Sequence, residues 1–436
     1  MKNILKKIVI KILTIEAKLV LKKYKPKIVA VTGSVGKTST KDAIYTALSP
    51  FFFVRKSAKS FNSDIGIPLT ILGLPNAWSD HKLWFKNMYD AFWLVVSKSK
   101  YPEWLVLEIG ADHPGEIEEV MKWIHPDISV ITRIGSVPVH VEYYRSVAEV
   151  IKEKSYLARG LKPEGTLILN ADDSDVMGFK EFTSAKVLTF SIKDKADVKA
   201  SFIQPIYKNE KVKGIAFKVD ILGSSIPVSL EDIYGNQFVY PVLASFAVIN
   251  ALGLSPLKAV ESFDSYEFPR GRMNIISGIN DSVIIDDTYN ASPVAMEEGF
   301  NAIKGLNCTS KKIAIVGDML ELGKLSQDEH HRLGLLAAEI FDIVGLVGIR
   351  AKEMKGALLE NKFKEENIFV FENSIDTGEA MKDKISAGDI VYVKGSQGMR
   401  LEKVVERIML DPKQKEKLLV RQVRRFCHNL YFPSSL

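Results

Sequence analysis

The sequence predicts an α/β protein with two domains, each built on a mostly parallel β-sheet. The chain has 436 residues, which is more than one ordinary hydrophobic core accommodates. Apolar strand-like runs alternate with helical patterns in both halves of the chain, as they do in parallel sheets. The composition, 46% hydrophobic and 26% charged, is typical of globular proteins. Two cysteines, Cys308 and Cys427, cannot form a disulfide framework, and they predict a reducing, cytoplasmic setting.

The first element is a basic amphipathic helix, predicted over residues 1–26. Residues 1–27 hold nine lysines and one glutamate, a net charge of +8 in a chain whose total is +6, so no basic nucleic-acid-binding body is expected. Two interpretations stay open: the helix lies on an anionic membrane surface, or it packs on its own domain. Charges interrupt the segment too often for a spanning helix, and no secretory cleavage site follows. Four of its lysines share a helical spacing: Lys7, Lys11, Lys18 and Lys22.

The next domain is predicted over residues 27–265. Its apolar runs "KIVAVTG", "WLVLEIG", "ISVITRIG" and "GTLILNADD" end in glycine, polar or acidic residues, which is typical of parallel strands with function at their carboxyl ends. Shorter alternating runs from about Lys186 to Leu230 predict an antiparallel insertion, and a helical stretch follows. A linker over 266–272 leads to further strand-like runs, which predict a second, Rossmann-like doubly wound domain over 273–436.

The stretch "KIVAVTGSVGKTST" predicts a phosphate-binding loop between the first strand and a helix. Gly33 and Gly36 let the backbone approach phosphate oxygens, and the helix directs free N–H groups at the anion. Lys37 can neutralise phosphate charge, and the Thr38 hydroxyl can reach Mg²⁺. The standard pattern has a glycine where this chain has Val31, so a tight turn with an incidental lysine is the alternative.

The wider pattern resembles the Mur ligases, ATP-dependent enzymes that join an amino acid or dipeptide to a growing cell-wall peptide. The spelling T-G-x-x-G-K-T at Thr32–Thr38 is similar to the loop of that family. Seven further stretches resemble the branch that adds D-alanyl-D-alanine, and they occur in the family's order: "NSDIGIPLTIL", "LEIGADHPGEI", "NADD", "PRGRM", "IIDDTYNASP", "VGDMLELG" and "VKGSQGM".

The resemblance implies a P-loop-type central ATPase domain followed by the Rossmann-like ligase domain. It implies an ADP-forming amide-bond ligase of peptidoglycan precursor synthesis, which adds D-alanyl-D-alanine to a muramoyl-peptide carboxylate through an acyl phosphate. The implied cofactors are ATP and two Mg²⁺ ions, and the partners are a cell-wall peptide precursor and D-alanyl-D-alanine or an amino acid. Two alternatives remain: a Mur-type ligase for another amino acid or a pseudomurein-like polymer, and a non-catalytic nucleotide-binding scaffold.

The resemblance also implies roles for individual residues. Oxygen ligands suit Mg²⁺, and a carbamate on a lysine would replace a positive charge by anionic oxygens. The implied ATP-binding residues are Thr32, Gly33, Ser34, Gly36, Lys37, Thr38, Ser39, Arg272 and Asp287. The implied catalytic residues are Lys37, Glu108, His140 and Lys154. The implied metal ligands are Thr38, Glu108, His140 and Lys154 as its carbamate. The implied substrate-binding residues are Asn62, Tyr289 and Asn290.

The chain departs from the family pattern at several positions. Tyr156 stands near Lys154 where close relatives commonly have glutamate. Gln237, Phe238 and Pro241 stand where relatives carry residues near adenine, so the adenine contacts are open. His330 matches a family histidine and is either functional or a structural contact. Only 26 residues precede the first strand, where the family has a UDP-binding domain. We therefore expect another surface or protein to hold that end of the substrate, or a substrate without UDP, such as a lipid-linked precursor.

Overall fold

The computed structural model describes residues 2–57, 64–77, 80–135, 143–266 and 268–422. Two of the predicted site residues, Asn62 and His140, lie outside these described residues.

The described residues form two β-sheets with helices on their faces. The strands are β1 (Lys27–Thr32), β2 (Val54–Lys56), β3 (Trp104–Glu108), β4 (Ile128–Ile131), β5 (Thr166–Asn170), β6 (Lys186–Ser191), β7 (Val198–Lys208), β8 (Lys211–Ile221), β9 (Ser224–Glu231), β10 (Asn274–Ser277), β11 (Val283–Asp287), β12 (Lys312–Gly317), β13 (Ile343–Val347), β14 (Ile368–Phe371) and β15 (Ile390–Lys394). The helices are α1 (Lys2–Tyr24), α2 (Lys37–Leu48), α3 (Gly66–Leu72), α4 (His81–Val96), α5 (Glu116–Met121), α6 (Val147–Arg159), α7 (Ser174–Met177), α8 (Val239–Ala251), α9 (Pro256–Glu261), α10 (Pro293–Lys304), α11 (Ser326–Ala338), α12 (Met354–Glu360), α13 (Ser374–Met381), α14 (Glu402–Ile408) and α15 (Lys415–Leu418).

The first sheet has the strand order β2-β3-β1-β4-β5-β6-β7-β8-β9. Its strands run parallel from β2 to β7, and β8 and β9 are antiparallel to their neighbours. The predicted antiparallel insertion from about Lys186 is therefore wrong in its start, because β6 still pairs parallel with β5. The antiparallel part extends the same sheet, and β9 alternates exposed and buried residues because it covers the core with one face only.

The second sheet has the strand order β10-β11-β15-β12-β13-β14. Neighbouring strands are parallel except for β10, which pairs antiparallel with β11. The backbone next to β10 is tied to the first domain, since Ile275 N–H donates to Asp232 O at 2.9 Å and Tyr234 N–H donates to Met273 O at 3.2 Å. Two mostly parallel sheets confirm the predicted α/β fold class, while the predicted domain bounds stay predictions.

The N-terminal helix α1 packs on the first domain. Leu13, Ala17 and Val20 are fully buried in an apolar cluster that includes α3, and α1 also contacts α4. Lys18 and Lys22 lie on the exposed side. The packing interpretation of this segment is thus observed, and it leaves the outer face of α1 free for a partner. No helix in the described parts of the chain is long and apolar enough to cross a membrane.

Candidate active site

The glycine loop lies at the carboxyl end of β1, in the middle of the parallel strands between β3 and β4. Gly33 has φ +149°, and a Cβ there would come within 2.0 Å of Thr132 Oγ1. Gly36 has φ +83° and caps the N-terminus of α2. Ser34 N–H donates to Arg133 O at 2.6 Å, which ties the loop to the segment after β4. Close packing and left-handed backbone therefore require both glycines.

Lys37 folds back over this loop. Its ammonium donates to Gly33 O at 2.9 Å and to Ser34 O at 3.3 Å. Burial lowers the pKa of Lys37, and the nearby carboxylate of Glu108 partly opposes this shift. The ammonium lies beside the first turn of α2, whose N–H groups have no partners within the helix. An anion that enters here meets both the lysine and the positive end of the helix.

Glu108 ends β3 directly beside the loop strand, opposite Val31 in the parallel register. Thr38 Oγ1 donates to Glu108 Oε1 at 3.1 Å. The other oxygen, Oε2, is buried and has no hydrogen-bond partner among the described residues, and Lys41 Nζ lies 3.8 Å from it. The Ser34 hydroxyl is likewise buried without a hydrogen-bond partner in the described structure. Oxygen atoms without a hydrogen-bond partner, such as these two, are suitable ligands for Mg²⁺.

A metal site made of protein side chains alone is not seen in this part of the molecule. The described residues contain no group of three or more His, Cys, Asp or Glu side chains that could hold a metal ion. The predicted ligand His140 lies outside them. Because Mg²⁺ commonly takes one or two protein ligands together with phosphate oxygens and water, Thr38 and Glu108 still form a suitable anchor.

Lys154 reaches the same loop from α6. Its side chain is buried, and Nζ donates to Gly33 O at 3.2 Å, so two lysines contact one carbonyl oxygen. Burial and the charge of Lys37 lower the pKa of Lys154 to about 7. The neighbouring Glu153 instead accepts hydrogen bonds from the backbone at the start of α5. Tyr156, the discordant residue, packs against the apolar cluster under α1.

A cavity of about 510 Å³ opens between the loop and the C-terminal domain. Both domains contribute to it, and the predicted site residues in its wall are Ser34, Gly36, Lys37, Thr38, Ser39, Glu108, Arg272, Asp287, Tyr289 and Asn290. Thr32, Gly33 and Lys154 are not among the residues of this wall. The structure thus brings together residues that are more than 200 positions apart in the chain.

The C-terminal wall is organised by a buried ion pair. Lys394 Nζ lies 2.5 Å from Asp287 Oδ2, and the Tyr392 hydroxyl donates to the same oxygen at 3.1 Å. The Arg272 guanidinium lies 4.5 Å from the centre of the Tyr289 ring, and its Nε is buried without a hydrogen-bond partner among the described residues. Sequence reasoning missed Lys394. The sequence does contain a signal for this pair, because Asp287 and Lys394 each end a strand-like run. In the structure the two runs are β11 and β15, whose parallel register places these two residues opposite each other.

A second missed pair joins the two domains. Arg133, just after β4, forms an ion pair with Glu298 of α10, and Glu298 lines the cavity. The approach is close here, since a Cβ on Gly135 would come within 2.6 Å of Val294. The run "ISVITRIG" predicted a functional strand end, but it did not identify the partner of its arginine.

His330 has a structural role. It is fully buried in α11, where Nε2 accepts from Met319 N–H at 3.0 Å and Nδ1 donates to Ser326 O at 2.6 Å. Burial lowers the pKa of this imidazole, which favours the neutral form. The ring holds the loop after β12, whose Leu320 and Glu321 line the cavity.

The other residues that depart from the family pattern lie partly in the cavity wall and partly in the core. Gln237 and Phe238 line the cavity, whereas Pro241 is buried in α8. The Phe238 ring meets Phe268 edge to face at 5.4 Å between centroids. Gln237 therefore places an amide in the cavity wall, and Phe238 places an aromatic ring there.

This arrangement defines a class of protein: an enzyme that binds a nucleoside triphosphate on a glycine loop, with a second α/β domain on the other side of the cavity. The model of the Mur ligase middle domain matches residues 31–249, and that of the Mur ligase glutamate ligase domain matches residues 271–397. The chain belongs to the Mur ligase family.

Curated relatives and solved structures agree with this membership. The UDP-N-acetylmuramoyl-tripeptide–D-alanyl-D-alanine ligase of Bacillus subtilis is 28% identical over 91% of this chain and 79% of its own length. The ligase of the same name from Buchnera aphidicola (subsp. Acyrthosiphon pisum) is 30% identical over the same shares. The crystal structure of the MurF ligase from Thermotoga maritima in complex with ADP superposes with a TM-score of 0.75 at 25% identity, covering 94% of this chain and 84% of that one.

Proposed function

We propose that this chain is an ADP-forming ATP-dependent ligase that adds D-alanyl-D-alanine to the peptide carboxylate of a muramoyl-peptide precursor. The observation that carries the proposal is the convergence of Lys37, Lys154 and Glu108 on one glycine loop, which forms part of the wall of a cavity that both domains line. The names of the curated relatives supply the substrate class. A passive nucleotide binder has no need for a second buried lysine and a carboxylate oxygen without a hydrogen-bond partner beside the loop.

The first step transfers the γ-phosphoryl group of ATP to the peptide carboxylate and gives an acyl phosphate and ADP. Lys37 and the N–H groups at the start of α2 stabilise the charge that develops on the transferred group. Arg272 reaches the phosphates from the other domain, and its unpartnered Nε is available for this role. Thr38 and Glu108 would hold Mg²⁺, which neutralises phosphate charge when bound.

We further propose that Lys154 carries a carbamate. An uncharged lysine amine attacks carbon dioxide and loses one proton, which leaves an anionic carbamate on the side chain. Burial beside Lys37 supports this proposal because it disfavours a second ammonium at the loop. The carbamate and His140 would then complete a second Mg²⁺ site, as the resemblance implies.

In the second step the amino group of D-alanyl-D-alanine attacks the acyl carbon, phosphate leaves, and the amine loses a proton as the amide forms. Tyr289 and Asn290 line the cavity beside the loop and are proposed to position the dipeptide. Asn290 is itself held by its neighbours, since its backbone oxygen accepts from Lys394 at 3.1 Å. Asn62 is proposed to bind substrate, as the resemblance implies.

We place the reaction in the cytoplasm, where ATP is available, at the inner face of the membrane. The net charge of +8 over residues 1–27 supports attraction to an anionic surface.

The test is an ADP-release assay with a panel of substrates. We expect release to need both UDP-N-acetylmuramoyl-tripeptide and D-alanyl-D-alanine, and mass spectrometry to detect the amide product. Single amino acids in place of the dipeptide, or a lipid-linked or pseudomurein-type peptide in place of the acceptor, test the related ligases. Nucleotide binding without stimulated turnover under every combination would leave the scaffold as the better description.

A further inference from the structure

Two neighbouring helices of the first domain, α1 and α4, expose large apolar side chains to solvent. The exposed set on α1 is Ile8, Ile12, Ile15 and Leu19. The exposed set on α4 is Phe85, Tyr89, Phe92, Trp93 and Val96. These nine residues are called the α1/α4 face. Single exposed apolar residues are ordinary, but a contiguous set of this size marks an interaction site.

The nine residues occupy one side of each helix. The spacings are four, three and four residues on α1 and four, three, one and three on α4, which places each set on one helical face. The opposite sides are buried, through Leu13, Ala17 and Val20 on α1 and Ala91 on α4, in the same apolar cluster. Because α1 and α4 contact each other and bury their inner sides in one cluster, we infer that their outer sides form one surface.

The two helices are also fastened to each other. The Lys23 ammonium donates to the carbonyl oxygen of Val95 at 2.8 Å, at the C-terminal end of α4. The Tyr24 hydroxyl donates to Leu94 O at 3.1 Å. Cations near a helix C-terminus are favourable, so this contact stabilises the pair. No residue of the α1/α4 face lines the described active-site cavity, so the face is not part of the ligase site.

The charge around the face selects the partner. Together α1 and α4 carry nine lysines against Glu16 and Asp90, a net charge of +7. Among these lysines, Lys11, Lys18 and Lys22 are exposed on α1 beside its apolar stripe. A second copy of the chain would bring a like-charged face against this one, which costs free energy. An anionic partner is favoured instead.

The aromatic content indicates which anionic partner this is. Tyr89 and Trp93 are of the types enriched where a membrane meets water, since their rings are apolar with one polar atom. We propose that the α1/α4 face docks the protein on an anionic lipid bilayer, with the apolar side chains at the boundary of headgroups and acyl chains and the lysines on lipid phosphates. This deepens the location proposed above, which rests on the basic segment alone; α4 supplies the second half of the surface.

The test is flotation of the full chain with lipid vesicles, which needs no ligase substrate and so fails independently of the proposed activity. We expect binding to phosphatidylcholine vesicles that contain phosphatidylglycerol, weakened by salt, and little binding to phosphatidylcholine alone. The triple variant Lys11→Gln/Lys18→Gln/Lys22→Gln should bind about a hundredfold more weakly, at about fivefold per lysine. The matched control Lys352→Gln/Lys362→Gln/Lys364→Gln removes three exposed lysines of the C-terminal domain and should bind normally.

A second comparison tests the apolar part of the face. Phe85→Ser should weaken vesicle binding about tenfold. Phe202 on β7 is equally exposed, at 74%, so Phe202→Ser is its control and should change nothing. Substitutions are preferable to removal of α1, because removal would uncover the buried Leu13 and Val20 and disturb the fold. Circular dichroism melts establish that each variant is folded.

Three outcomes would overturn the proposal. One is the absence of vesicle binding by the unaltered chain at low salt. Another is an equal loss of binding in the control variants, which would make the attraction nonspecific. The third is a dimer, seen by sedimentation, that Phe85→Ser dissociates while vesicles remain unbound, because a second copy would then cover the α1/α4 face.

Discussion

Replacing Lys394 with methionine probes the buried ion pair that forms the C-terminal wall of the cleft. Lys394 Nζ lies 2.5 Å from Asp287 Oδ2, and the two side chains are only 2% and 10% exposed. Methionine fills a similar volume, but it leaves the carboxylate with only the Tyr392 hydroxyl. Removing one partner of a buried pair costs about 3–5 kcal/mol. We expect Lys394→Met to lower the free energy of unfolding by about this amount.

The loss should also depend on pH. Burial raises the pKa of Asp287 and Lys394 holds it down, so the carboxyl takes up a proton more readily once the lysine is gone. A folded-state pKa above the unfolded value means that the folded protein binds the extra proton as pH falls. The cost of Lys394→Met should therefore be smaller in mildly acidic buffer than at neutral pH.

The assay is urea unfolding followed by circular dichroism, since all five tryptophans lie before β4 and do not report on the second domain. The variants are Lys394→Met, Asp287→Asn and the double variant. The double variant leaves no unpaired charge, so it should lower the free energy of unfolding by less than the sum of the two single variants. Lys304→Met is the control, because its pair with Glu339 is half exposed, and it should change stability by no more than about 0.5 kcal/mol.

Small and additive losses, below about 1 kcal/mol for each single variant, would refute this reasoning. The carboxylate of Asp287 would then not depend on Lys394, and the ATP-binding role that the family resemblance implies would become the better account of its burial.

Three other predictions concern the loop and α1. Lys37→Ala should lower turnover by about a hundredfold or more in a folded protein, whereas Lys56→Ala, which removes a lysine paired with Asp42 outside the cavity, should stay active; a fully active Lys37 variant would take the loop out of the mechanism. Lys154→Ala should be nearly inactive and partly restored by acetate, while Lys154→Arg should not recover, because arginine stays cationic; normal turnover of the arginine variant would disprove the carbamate. Burial raises the pKa of Glu16 from 4.5 to about 7. The charged carboxylate therefore lowers the stability of the folded protein more and more as pH rises from 4.5 to about 7, and the loss is complete above about pH 7. Glu16→Gln should therefore stabilise the protein by on the order of 1 kcal/mol at pH 8 and not at pH 4, measured by urea unfolding, and an equal effect at both values would contradict the assignment.

Much of the fold could be predicted because the signals are local. Apolar runs that end in glycine became central parallel strands, as in β1 before Gly33 and β4 before Gly135. The start of the antiparallel part was misplaced because the pattern of β6 does not reveal the direction of its partner. Strand direction depends on the connection that precedes it, and here a parallel crossover precedes β6.

The contacts within the site were less predictable because distant residues make them. Lys394 and Asp287 are 107 positions apart, and Arg133 and Glu298 are 165 apart. The order β11-β15-β12 brings the first pair together, and it does not follow the order of the chain. The exposed side of α4 was also not foreseen, because an apolar helix pattern does not say which face the rest of the protein covers. The predicted roles of Asn62 and His140 stay predictions.

Arg133 has two contacts that couple the domains to the phosphate site. Its backbone oxygen holds the N–H of Ser34, while its side chain pairs with Glu298 of the other domain. A rotation that separates the domains must break the ion pair or pull on the loop through one residue. This coupling is reciprocal. If a bound nucleotide favours domain closure by a certain free energy, then closure favours nucleotide binding by the same free energy. If the cleft opens when ADP leaves, the two contacts of Arg133 are therefore the route by which that opening would act on the loop.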